Sequence, residues 1–130
     1  MERNRKVLLI GRGISFVTSL PFAMSAGMKM MAVPEVVTGM THLGVPESLM
    51  RPLGVLELFC VVVYLAPATS VLGAVLFTGY VGGTIVTHLR MGESVLLQIA
   101  LGVLIWLGLY LREPRLRALL PLRQRWNDRA

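Results

Sequence analysis

Residues 49–66 read LMRPLGVLELFCVVVYLA. Apart from Arg51 and Glu57 the stretch is almost wholly apolar. A helix needs about 20 mainly apolar residues to cross a bilayer, at ~1.5 Å rise each. Lipid offers backbone groups no partners, so a helix, which satisfies them internally, is the expected form. Pro52 sits near the start, where a missing N–H is tolerated, and Pro67 stands just past the end. Glu57 then needs a reason. Leu56 and Leu58 flank it, and Cys60, Val61, Val62 and Val63 follow, so its carboxylate has no easy route to water. A charge in hydrocarbon is expensive, and such groups usually face the bundle interior and pair.

Working outward, the rest of the chain has the same character. It has 130 residues, which makes one domain the default. It is 55% hydrophobic and only 15% charged, with a mean hydropathy of +0.68, too little charge to cover a soluble surface. Three more apolar runs lie at residues 7–31, 68–89 and 94–111. Arg12 and Pro21 interrupt the first, Met91–Gly92–Glu93 forms the turn before the last, and Pro114 follows it. Residues 34–43 differ: Pro34 and Glu35 suit a first helical turn, and Val36, Val37, Met40 and Leu43 fall on one face. Gly44 and Pro46 end the segment. The expectation is an all-α, four-transmembrane-helix bundle with a short amphipathic interfacial helix between the first and second spans. The membrane domain covers residues 1–123, and residues 124–130 form a basic C-terminal tail.

The net charge of +6 is concentrated at the ends. Arg3, Arg5 and Lys6 precede the first run, and Arg112, Arg115, Arg117, Arg123, Arg125 and Arg129 follow the last, nine of the thirteen basic residues. By the positive-inside rule both termini are cytoplasmic in a bacterial inner membrane. A cleaved leader is the competing reading of the first run; Arg12, the continuation to Met31 and the nearby Lys29 count against it. Tails flanking apolar runs do not make a folded basic face, which argues against nucleic-acid binding. The Arg- and Leu-rich tail suits membrane lipid instead. Cys60 is the single cysteine and reads as a buried, inert thiol.

The orientation places several polar groups at one depth. Lys29 ends the first span, Glu57 lies about two turns into the second, and His88 and Arg90 end the third. Tyr80, Thr84 and His88, spaced by four, form a polar stripe directed at this level. A Lys29–Glu57 ion pair is expected, with His88 hydrogen-bonded beside it. Gly79 and Gly83 form a GxxxG pair that, with Gly82, lets a neighbouring helix close on the stripe, in this chain or in a homodimer. Such a pair can also simply fix helix register. A His/Glu metal site lacks a second histidine unless His42 folds over.

SAGMKMM (25–31), PEVVTGMTHLGVP (34–46), GVLEL (54–58), TGYVGGTIVTHLR (78–90) and LGLYLREPRLRALLPLR (107–123) together resemble the DoxX-like family of small bacterial membrane proteins. The resemblance covers residues 20–123. Its weight lies in the series Lys29, Glu57, Gly82–Gly83 and His88–Leu89–Arg90; Ala26 and Met30 depart from the expected glycine and leucine. It implies a four-helix membrane bundle. It implies less about chemistry: the family takes its name from a small subunit of a thiosulfate–quinone oxidoreductase complex, but most members have no assigned activity, and a quinone is a possible ligand. Three roles remain open at this stage: an accessory subunit of a quinone-linked redox complex, a small transporter using the same cluster, and a structural partner without chemistry. No cofactor motif is evident, and enzyme activity by this chain alone is not indicated.

Overall fold

The computed structural model describes residues 2–122. The expectations for the tail at residues 124–130 lie outside the described residues. Among the described residues six α-helices follow one another: α1 (Glu2–Met30), α2 (Pro34–His42), α3 (Met50–Leu65), α4 (Ser70–Arg90), α5 (Leu96–Arg112) and α6 (Pro114–Arg117). Short 3-10 turns at Glu47–Leu49 and Pro67–Thr69 lead into α3 and α4. Among the described residues there is no strand. Three helical stretches, Glu2–Met30, Glu47–Leu65 and Pro67–Arg90, are long and apolar enough to cross a membrane; the apolar helix Leu96–Arg112 is shorter.

The helices match the apolar runs within a few residues, except at the start. α1 begins at Glu2 rather than residue 7, because Arg3, Arg5 and Lys6 are good helix formers. An apolar run marks where lipid-compatible residues begin, not where the helix does. Pro21 sits inside α1 without ending it. α1 packs on α3 and α5, and α4 packs on the same two helices, so the four long helices close into a ring.

The core is mainly apolar, as in a water-soluble bundle, but it also holds polar side chains, and the outer surface is apolar as well. The buried face of α1 carries Ser15, Thr18, Ser19, Phe22, Ala26 and Lys29, while Phe16, Val17, Leu20 and Met24 are exposed. α3 turns Gly54, Glu57, Cys60 and Tyr64 inward and Val55, Phe59 and Val62 outward. Polar and small groups inside, with continuous apolar surface outside, suit a lipid environment.

Away from α2, the bundle is held by Tyr64, which is fully buried. Its hydroxyl donates to the Ile105 carbonyl at 2.6 Å and lies 3.0 Å from Ser15 Oγ. Arg112 donates to the Tyr64 carbonyl and stacks 4.6 Å from the ring centroid. Three glycines permit this density. A Cβ at Gly73 would collide with the backbone of Tyr64, one at Gly108 would lie 2.6 Å from Ser15 Oγ, and one at Gly11 would lie 2.7 Å from the Arg112 nitrogen. Gly79, Gly82 and Gly83, expected to allow close helix packing, do not do so within the chain: a Cβ on any of them would meet nothing within 4 Å. The α3–α4 hairpin is tight near its Pro67 turn and splays apart toward α2.

Candidate functional site: a polar cavity beneath α2

Lys29 lies in the last turn of α1, one turn beyond Ser25. The i, i+4 spacing puts both on the face that meets α3. Lys29 Nζ donates to Glu57 Oε2 at 2.7 Å and to the Tyr80 hydroxyl at 2.7 Å. Ser25 Oγ donates to the same carboxylate oxygen at 3.2 Å. Glu57 is 2% exposed and Lys29 7%, so three helices join through one buried, charge-bearing chain.

These groups form part of the wall of a cavity of about 430 Å³. Phe22, Val36, Met40 and Leu101 supply apolar surface. Thr84 and His88 extend the polar wall along α4, and Gln98 enters from α5. Gln98 Oε1 is buried and has no hydrogen-bond partner. α2 lies across this end, and Gly39, Met40, His42 and Leu43 face the cavity. The amphipathic face read from the sequence thus covers the cavity through Val36, Met40 and Leu43.

His88 does not stand beside the ion pair as a hydrogen-bond partner; Tyr80 holds that place. His88 lies two turns further along α4, roughly 12 Å at ~1.5 Å per residue. Its Nδ1 donates to the Thr84 carbonyl at 2.7 Å, which fixes the tautomer of the neutral ring and leaves Nε2 as the free face. Nε2 lies 3.9 Å from Glu93 Oε2. The other Glu93 oxygen is 3.3 Å from His42 Nε2. Glu93 reaches both because Gly92, at φ +72°, reverses the chain at the end of α4 and returns the Glu93 N–H to the His88 carbonyl at 3.1 Å. The left-handed position suits glycine.

Lys29, Glu57, Tyr80, Thr84 and His88 therefore share one cavity. Arg90 is exposed at the end of α4 and is not among the lining residues. Ser25, Glu93 and Gln98 were not singled out from the sequence as site residues. Ser25 lies one helical turn from Lys29, the only cue it gave. Glu93 lay in a segment read as a turn. His42 does fold toward His88, yet among the described residues no group of three or more His, Cys, Asp or Glu side chains is placed to hold a metal ion.

A ring of apolar-surfaced helices around a buried ion pair and a capped polar cavity defines a small helical membrane protein. The DoxX-like family model matches residues 14–110, from the fourth turn of α1 through most of α5, and the chain belongs to that family. No curated protein matches the chain, and no solved structure does.

Proposed function

We propose that this DoxX-like protein crosses the bacterial inner membrane four times, with both termini cytoplasmic, and binds the oxygenated head of a quinone-class lipid in the cavity beneath α2. α5, with 17 residues, lies at the short end of the range for a spanning helix. The positive-inside bias of the tails orients the bundle and puts the cavity on the extracytoplasmic side.

One observation carries the binding reading. The Lys29–Glu57 pair, though almost fully buried, forms part of the wall of a cavity. Replacing a buried ion pair by apolar side chains is often neutral or stabilising, so the pair is weakly justified by stability alone. Ionisable groups inside a membrane domain point to function by default. The donor set fits the proposed head. Lys29 and Tyr80 offer N–H and O–H donors to a ring oxygen, and Gln98 Oε1 accepts from a ring hydroxyl. Phe22 and Leu101 provide apolar walls against the ring. Bound quinone would supply two-electron redox chemistry. The chain's own residues bind and orient the ring, and Tyr80, Lys29 and Glu57 form a hydrogen-bonded proton-holding chain at its edge. With Cys60 as its single cysteine, the chain cannot ligate an iron–sulfur cluster by itself, so the role we assign is accessory to a redox partner.

The permeation reading has less support, because Phe22 and Phe77, 4.7 Å apart, and Tyr64, 5.6 Å from Phe77, fill the bundle axis. The test is titration of the purified, lipid-reconstituted protein with a short-chain benzoquinone, followed by intrinsic fluorescence. Saturable binding in the wild type and its loss in Glu57→Gln are expected. A wild type that does not bind, or a Glu57→Gln variant that binds as well, would remove the proposal.

A further inference from the structure

A second cavity, of about 380 Å³, lies on the other side of the Lys29–Tyr80–His88 wall. Leu53 and Leu56 of α3 form one side, Gly79 and Gly83 of α4 the other, and Val45 closes it near α2. It shares Lys29, Met40, Leu43, Tyr80, Thr84 and His88 with the first cavity. Leu56 is 45% exposed and both glycines are exposed, so this groove opens on the outer surface of the ring, where acyl chains lie. The groove exists because α3 and α4 diverge from their contact at Gly73, and because Gly79 and Gly83 leave open the space their side chains would fill.

We infer that the α3–α4 groove holds the hydrocarbon chain of the amphiphile whose head occupies the first cavity, and is the route by which that molecule enters from the bilayer. The inference rests on the binding reading above. The polar wall common to both cavities marks the boundary between head and tail. On the groove side the lining is leucine, valine and glycine, with Thr87 as its one polar residue, and no charged group beyond the shared wall; on the far side stand Glu57, Gln98 and Glu93. A chain leaving lipid for this groove gains little hydrophobic free energy, since both surroundings are apolar. The groove therefore acts by shape, through access and orientation, and filling it excludes tailed ligands while leaving the head site intact.

The test compares two probes, a methoxylated benzoquinone without a side chain and the same ring bearing a decyl chain, on the full-length protein in lipid nanodiscs. Gly79→Leu and Gly83→Leu fill the groove. Gly82→Leu, equally free of neighbours within 4 Å but lining the α4–α5 surface, is the control for a helical Gly→Leu change. Leu56→Trp narrows the groove from α3 and serves if the glycine variants do not fold. The expected result is a loss of at least about tenfold in affinity for the decyl probe in the filled variants, with the tailless probe within about twofold of wild type and the control unchanged. Equal retention of both probes, or equal loss of both, in the filled variants would overturn the groove assignment while leaving the head site standing. Failure of both probes to bind the wild type would bring down the binding reading and this inference together.

Discussion

Lys29→Met removes the ammonium that lies 2.7 Å from Glu57 Oε2 and leaves a carboxylate that is 2% exposed. Only the Ser25 hydroxyl, at 3.2 Å, then remains bonded to that carboxylate oxygen. Removing one partner of a buried pair costs about 3–5 kcal/mol. The reverse change is milder. In Glu57→Leu, Lys29 keeps its Tyr80 bond and sits in the last turn of α1 beside the exposed Met30. Its long stem can swing toward the surface, so a cost of about 1–2 kcal/mol is expected, below the usual single-partner penalty. In the double variant neither charge is stranded. Apolar replacement of both is near neutral or stabilising by about 1–4 kcal/mol, less about 1 kcal/mol for the Tyr80 hydroxyl left without its donor. The cycle should therefore show a coupling of at least about 3 kcal/mol. Equilibrium unfolding in mixed detergent micelles, followed by circular dichroism, reads all four proteins. A Lys29→Met cost below about 1 kcal/mol, or single costs that simply add in the double variant, would refute the pairing. A double variant that recovers stability but not quinone binding would separate the pair's contribution to the site from its contribution to the fold.

Three further outcomes follow from the packing. Gly73→Ala should cost about 1–3 kcal/mol or more, because its Cβ would collide with the Tyr64 backbone. Gly79→Ala and Gly83→Ala should be neutral or stabilising by up to about 1 kcal/mol through helix propensity, and the opposite ranking in the same unfolding assay would contradict the splayed hairpin. Tyr64→Phe loses its bond to the Ile105 carbonyl and its contact with Ser15, a predicted loss of about 1–3 kcal/mol, read as a lower unfolding midpoint; an unchanged midpoint would mean that aromatic packing alone carries the site. His42→Ala breaks the exposed contact to Glu93 at a global cost under about 1 kcal/mol, yet should raise amide exchange in α2; unchanged exchange would mean that the apolar face alone holds α2 in place.

Much of the fold was legible because lipid imposes a simple rule on composition. The runs containing Glu57, Tyr80 and Trp106 each became a helix within a few residues of its expected limits. The Lys29–Glu57 contact was legible for a related reason: once direction and depth are assigned, few groups can meet a buried carboxylate. Packing was less legible. GxxxG drew attention to Gly79 and Gly83, but spacing does not say which face a neighbour occupies. The close approaches fell on Gly11, Gly54, Gly73 and Gly108, which share no motif. A cue did exist in α1, where Ser15, Thr18, Ser19 and Phe22 trace a helical stripe of small and polar residues that marks the inward face. The convergence of His42, His88 and Glu93 depends on the left-handed turn at Gly92 and on how α2 rolls about its axis. Neither is a property of a single helix read alone.

The two ends of the bundle divide the work, and each depends on the other. Around Tyr64, glycines bring helices together until hydroxyl, carbonyl and guanidinium groups meet in a space closed by Phe77 and Ile105, with the buried Arg112 Nε left without a partner. Dispersion and hydrogen bonds accumulate there, the two terms that drive helix association where lipid removes the hydrophobic one. At the α2 end α1 and α3 stay close at Gly54, while α3 and α4 separate, and two cavities flank a desolvated charge pair. Voids and buried charges both oppose stability. That arrangement persists because α3 and α4 are pinned at Gly73 and α1 and α5 at Gly11 and Gly108, so divergence at one end is geometrically tied to contact at the other. A substitution that loosens the Tyr64 contacts should therefore alter the shape of cavities several turns away while touching none of their lining residues.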